Sequence, residues 1–329
     1  MIEHFAYYGD SMELAKRHTA FFINGGAGRV ISSIPALELY HKENQEDDFI
    51  IVCEGGMDVY RGHKILHSRA YDVNHKGLYN DYIKSRNCIT LEPYRVWEYY
   101  NQKCSIAQAF DIQTNNKGIR DLPCPTINLS SVETNKPFLA VQEIKQTLKV
   151  DKVVVFQPFG RSTSVPNGFA YDPSGRSFDI LDAAEIIKKL QKKNIGVIFM
   201  SEFDAPFKDL GCTQSTPRPE NISIREWGGF IKAADHFLGC DSVGQHLAYA
   251  LDKSATVVLG STFAINVSYP NKKNINIIDI DKDNRVYSPI RITMDDEVDR
   301  INDGCMKINK NEKIINDIVK SVCNAIGVK

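Results

Sequence analysis

Between Ala234 and Pro270 the chain reads ADHFLGCDSVGQHLAYALDKSATVVLGSTFAINVSYP, two apolar runs that each stop at a loop of small polar residues. The first loop, Asp241-Ser242-Val243-Gly244, opens a helical pattern lasting to Leu251. The first amides of a helix have no partner inside it and sit at the positive end of its dipole, so they can hold a phosphate. Gly244 would let the backbone come close to such a ligand. Asp241 suits helix capping better than phosphate contact, because two anions repel. His246, in the second turn, can face the ligand or the core. The second loop, Gly260-Ser261-Thr262, lies at the carboxyl end of the next strand. Ligands of open parallel sheets bind at that edge.

Other candidates are scattered. Gly25-Gly26-Ala27-Gly28 follows the first apolar run, with Arg29 directly after it. A guanidinium cannot take a proton at neutral pH, so Arg29 reads as an anion holder rather than a base. Arg161 and Arg176 sit in a loop rich in Gly, Ser and Pro, where either could meet phosphate. Glu54, at the end of the second strand, is the carboxylate placed to act as base. Glu202, after another strand, could bind a ribose hydroxyl. His63, His67 and His75 show no metal-ligand spacing. The eight cysteines form no C-x-x-C pair and read as free thiols of a reducing compartment. The aromatics of Tyr94–Lys103 recur at helical spacing, which argues for core rather than base stacking.

The elements that must position these residues alternate. His18–Asn24, Phe49–Cys53 and Cys88–Leu91 read as strands, with helices predicted over Ser33–Lys42 and Arg95–Phe110. A proline-rich break leads to a helix over Phe138–Leu148. The second half repeats the alternation. Strands are predicted at Lys152–Gln157, Gly196–Met200, His236–Gly239, Ala255–Leu259 and Asn274–Ile280, and helices at Asp179–Lys193, Arg225–Ala234, Asp241–Leu251 and Asn311–Ile326. Strands alternating with helices argue for parallel sheets covered by helices. The expected organisation is an α/β chain of two Rossmann-like domains, 1–149 and 150–305, with 306–329 as a helix crossing back onto the first.

Length and composition agree. A chain of 329 residues exceeds one ordinary domain. Its hydrophobic and charged fractions, 43% and 25%, are those of a globular protein. A net charge of −1 lacks the basic excess of a dedicated nucleic-acid binder. No apolar run approaches a membrane span, and no leader is visible, so a cytoplasmic location is expected.

Asp241-Ser242-x-Gly244-x-x-His246-x-Ala248-x-Ala250-Leu251, followed by an apolar strand and Gly260-Ser261-Thr262, resembles the donor-site signature of bacterial lipopolysaccharide heptosyltransferases. Phe22–Leu37, FINGGAGRVISSIPAL, is similar to the first strand, glycine loop and helix of that family. Val153–Gly160, VVVFQPFG, is similar to the first strand of its second domain. The resemblance implies a GT-B fold and inverting transfer from a nucleoside diphosphate sugar. GT-B enzymes need no bound metal or cofactor. It also implies two departures. Arg29 stands where the family carries an acidic residue, and Arg176 stands where it carries a phosphate-neutralising lysine.

The expected function is therefore glycosyl transfer to a hydroxyl acceptor. Arg29, Arg176 and Glu54 are its catalytic candidates. Gly28, Arg161, Glu202, Asp241, Ser242, Val243, Gly244, His246, Ser261 and Thr262 are its donor-side candidates. The acceptor would be a saccharide or lipid-linked saccharide, with a hydroxylated base in DNA as the rival. A nucleotide-sugar epimerase or a non-catalytic nucleotide-sugar binder would share the same architecture. Sequence leaves the oligomeric state open.

Overall fold

The structure, a computed structural model, describes residues 18–165, 170–282, 285 and 304–329. The polar sequence 295–303 that leads to the last predicted helix lies outside these described residues.

The first sheet holds β1 (Thr19–Ile23), β2 (Ile50–Cys53), β3 (Ala70–Asp72) and β4 (Asn87–Leu91) in the order β3-β2-β1-β4, all parallel. Its helices are α1 (Ala27–Glu43), the single turn α2 (Trp97–Tyr100) and α3 (Ile106–Asn115). After α4 (Ser131–Leu148) comes the second sheet. It contains β5 (Lys152–Gln157), β6 (Ile195–Phe199), β7 (His236–Cys240), β8 (Ala255–Leu259) and β9 (Ile275–Asp279), ordered β6-β5-β7-β8-β9 and again parallel. Helices α5 (Ile180–Lys192), α6 (Ile224–Ala233), α7 (Val243–Ala250), α8 (Ala264–Val267) and α9 (Glu312–Ile326) complete it. Every residue of β6, β7 and β8 is buried, as expected of strands covered on both faces. The two-sheet α/β architecture is the one the alternation implied.

Three local departures have physical causes. Helix α1 begins at Ala27 rather than Ser33, because its first turn, Ala-Gly-Arg, carries no apolar stripe to reveal it. The single helix predicted over Arg95–Phe110 is broken between α2 and α3. Gln102 adopts a positive φ of 58°, and Ser105 starts α3 afresh with a capping box to Gln108. Helix α4 begins at Ser131, not after Pro137. Ser130 and Glu133 form a second capping box, and Pro137 is carried inside the helix. Proline leaves the Glu133 carbonyl without its helical donor. Gly229 of α6 packs against that oxygen, so close that an added Cβ would lie 1.9 Å from it.

The terminal helix corrects a further expectation. Helix α9 does not cross to the first sheet. Its apolar stripe, Ile315, Ile318, Val319 and Val322, is buried in the same core as α5 and the second sheet. The reason is that α5 and β8 leave an apolar face that this stripe covers. Helix α4, which precedes the second sheet, packs on α6 and lies against β5 and β6.

The main core joins both sheets. Phe21, Ile31 and Ile34 from the first sheet and α1 share one cluster with Ile231, Phe237 and Leu247 from α6, β7 and α7. Polar contacts cross the same boundary. Arg225 of α6 donates to the Arg61 carbonyl at 2.8 Å, and Asn266 of α8 donates to the carbonyls of Tyr99 at 3.0 Å and Cys104 at 2.9 Å.

Candidate functional site

Parallel sheets place their βα loops at one edge, and here the two edges meet. From the first sheet come the loop after β1, Glu54 to Gly56 after β2, and Glu92 after β4. From the second come the loop after β5 and the loops after β7 and β8. Arg161 spans the gap. Its guanidinium lies 3.5 Å from where a Cβ on Gly26 would sit and 3.7 Å from the same point on Gly55. Arg161 is exposed, and no carboxylate among the described residues pairs with it.

The loop after β5 is organised around Asp172, which is fully buried. Its carboxylate accepts from the Ser162 hydroxyl at 2.8 Å, the Ser174 amide at 2.8 Å and the Ser177 amide at 3.0 Å, and also from the hydroxyls of Ser174 and Ser177. Burial pushes the Asp172 carboxyl up, but the bonds from Ser174 and Ser177 and the nearby Arg176 outweigh it and hold the group below its usual range. The same serines orient Arg176, whose Nε donates to Ser174 Oγ at 3.0 Å and Nη2 to Ser162 Oγ at 3.4 Å. Its Nη1 lies 3.9 Å from the Asp241 carboxylate at the end of β7. Tyr94 of the first domain is also within electrostatic reach of this guanidinium. Arg176 is thus fixed at the meeting of both edges.

The start of α7 differs from expectation. Asp241 does not cap the helix. It is buried, accepts from the Gln245 side chain at 2.7 Å and faces Arg176. Burial raises its pKa, and Arg176 opposes that rise. Ser242 occupies the N-cap without a side-chain capping bond, and its hydroxyl accepts from Gln157 Nε2 at 3.1 Å. Gln157 Oε1 takes the Gly244 amide at 2.9 Å, and the Gln245 amide goes to the Ser242 carbonyl at 3.3 Å. An added Cβ on Gly244 would come within 2.4 Å of both Gln157 and Phe237. Gly244 therefore serves the packing of α7 on β5 and β7, and the protein itself occupies two of the first-turn amides. Among the described residues, the amides of Val243, Ser261 and Thr262 have no protein acceptor. The Ser261 hydroxyl ties its loop to the Ser174 carbonyl. Thr262 Oγ1 is buried close to Asp241, without a well-formed hydrogen bond.

The remaining candidates are placed as follows. Arg29 is tied to its own domain at the edge after β4. It donates to the Leu91 carbonyl at 3.2 Å and to Glu92 at 3.2 Å, with its guanidinium 4.9 Å from the Tyr94 ring centroid. Glu92 also accepts from Asn24 at 3.2 Å, so the Arg29 charge is neutralised within the first domain. Glu54 stays at the exposed mouth, where it accepts the Gly25 amide at 2.6 Å and shapes the glycine loop. Glu202 lies on an exposed loop beyond β6. Gly28 is a point of domain contact, since a Cβ there would come within 3.0 Å of the His246 ring. Sequence reasoning missed Gln157, Asp172, Tyr94 and Glu92. Gln157 alone gave a local signal, a polar residue ending an apolar strand.

His246 is buried, with Nδ1 2.7 Å from the Tyr269 hydroxyl. Burial, with a smaller contribution from Arg176, pushes its pKa down to about 4. His236, held between Ser254 and Thr256, is likewise pushed down to about 4 by burial, with Lys253 adding to it. Both are neutral when folded and would gain a proton on unfolding below their usual value of 6.5. The unfolded chain binds more protons between pH 6.5 and 4, so stability falls as pH drops through that window, by about 3 kcal/mol per histidine. His246→Gln should reduce this slope in urea unfolding measured across the window. A slope equal to that of the wild type would contradict the assignment.

No family model and no curated protein sequence matches the chain. Solved structures do. The glycosyl transferase family 9 protein from Veillonella parvula superposes with a TM-score of 0.63 at 12% identity, covering 96% of this chain and 99% of that one. The ADP-heptose lipopolysaccharide heptosyltransferase II of E. coli gives 0.55 at 10% identity, covering 92% and 99%. The iron-containing dodecameric glycosyltransferase TibC of enterotoxigenic E. coli gives 0.54 at 12% identity, covering 95% and 79%. The chain therefore has the two-domain GT-B fold of these glycosyltransferases.

Proposed function

We propose that this protein transfers a glycosyl group from a nucleoside diphosphate sugar to a hydroxyl acceptor, with inversion. The observation that carries the reading is Arg176, held by a buried serine–aspartate network where the carboxyl edges of both sheets meet. In the reaction the acceptor oxygen forms a bond to the anomeric carbon as the bond from that carbon to the diphosphate breaks. Negative charge collects on the departing diphosphate. Arg176 and Arg161, with the amides of Val243, Ser261 and Thr262, supply preorganised positive potential there, a role that requires no metal. The proton of the acceptor hydroxyl passes to a carboxylate on the first-domain edge, and Glu54 is the exposed acid at that edge. Arg29 is better assigned to holding the loop after β4 than to catalysis. A saccharide or lipid-linked saccharide is the acceptor class that this chemistry suits. Among the described residues no helix is long and apolar enough to cross a membrane.

A thermal-shift screen of ADP, UDP, GDP, CDP and their sugars tests the reading. One base should raise the melting temperature, since a ligand at 100 times its Kd adds about 2.7 kcal/mol. The absence of any shift across the panel would remove the proposal.

A further inference from the structure

The outer face of α4 is not the polar surface expected of a helix packed on one side only. Val132 and Leu139, seven residues apart, are 71% and 66% exposed. Lys136 and Glu143, also seven apart, fall on the same stripe, so the face runs apolar, cation, apolar, anion. A shallow trough of about 520 Å³ runs along it, lined by Val132, Asn135, Lys136, Leu139, Ala140 and Glu143 among others. Isolated exposed apolar residues need no explanation, but this stripe has a symmetry. Turned end for end about the point between Leu139 and Ala140, it places Lys136 on Glu143, Glu143 on Lys136, Leu139 on the small Ala140, and Val132 on Thr147. A surface complementary to its own reverse is what a two-fold contact between identical chains needs. Among the described residues Glu143 has no cationic partner. Lys136 reaches Glu226 at 3.3 Å through a side chain that remains 69% exposed, a surface pair of little strength. The helix itself is capped at Ser130 and seated on α6.

We propose that α4 pairs antiparallel with α4 of a second copy of this chain, joined by Leu139 and Val132 and registered by two reciprocal Lys136–Glu143 ion pairs. Sedimentation equilibrium of the full chain at micromolar concentrations tests this. The wild type should dimerise and Leu139→Asp should be a monomer, with circular dichroism showing both folded. Lys136→Glu and Glu143→Lys each set like charges against each other and should weaken the dimer by roughly tenfold. The double variant Lys136→Glu/Glu143→Lys restores opposite signs and should recover the wild-type affinity. A monomeric wild type, a dimer unaffected by Leu139→Asp, or a folded double variant as weak as the single ones would each overturn the proposal.

Discussion

Replacing Arg225 with alanine should lower the unfolding free energy by about 3–5 kcal/mol, the cost of leaving one partner of a buried ion pair alone. The Arg225 side chain is 2% exposed and makes a two-pronged contact with Glu133, at 2.6 and 2.8 Å. The same guanidinium donates to the Arg61 carbonyl at 2.8 Å and to the Asn128 carbonyl. One side chain thus rivets α6 to α4 and to the first domain. Its loss strands a carboxylate and several carbonyls away from water. Arg225→Lys should recover little, because a point charge cannot serve a planar, multi-acceptor site.

The pH dependence gives the same prediction a second reading. The hydrogen bond from Arg225, ahead of the opposing effect of burial, holds Glu133 down at about 2, against a usual 4.5. A depressed carboxylate stabilises the fold fully above pH 4.5 and loses that contribution as pH falls through about 2, about 3 kcal/mol in all. In Arg225→Ala that part of the acid slope should shrink to what the bonds from Ser130 sustain. Urea titrations of both proteins between pH 5 and pH 2 measure it. A variant that loses less than about 1 kcal/mol and keeps the slope would show that the pair is not the rivet described here.

Arg176→Ala should weaken nucleoside diphosphate binding by roughly 100-fold, about 3 kcal/mol, because it removes a charge-assisted contact held in place before the ligand arrives. Arg161→Ala should weaken it less, because that guanidinium is exposed and its interaction is screened by water. Arg29→Ala should leave nucleotide affinity near that of the wild type, since Arg29 already answers to Glu92 and Leu91. Isothermal titration with the nucleoside diphosphate chosen by the thermal-shift screen orders the three. If Arg176→Ala bound as tightly as the wild type while Arg29→Ala did not, the roles assigned to the two arginines would have to be exchanged.

Much of the architecture is legible in the sequence because it is local. Runs such as Val153–Phe156 and Ala255–Leu259 are apolar at almost every position, which a strand covered on both faces tolerates, and both prove to be such strands. The loops that follow them fall at the carboxyl edge of a parallel sheet for the same reason. Where local rules misled, a breaker was overridden by packing. Pro137 lies inside α4, and the bare backbone of Gly229 leaves room for the carbonyl that the proline deprives of its donor.

The sequence by itself determined the two parallel sheets, the order of their elements, and the edge where chemistry can take place. Only the tertiary structure decided what each charged or polar side chain faces. Arg29 finds Glu92 63 residues away, Gln157 closes on Gly244 across 87, and Arg225 reaches the Val59 carbonyl across 166. Helix α9 likewise stays with the second sheet, since its stripe marks a buried face without naming the surface that buries it. Hydrophobic periodicity is written over a few residues and can be read there. The partner of a polar atom depends on how two distant segments approach, and that is set by the packing of the whole core.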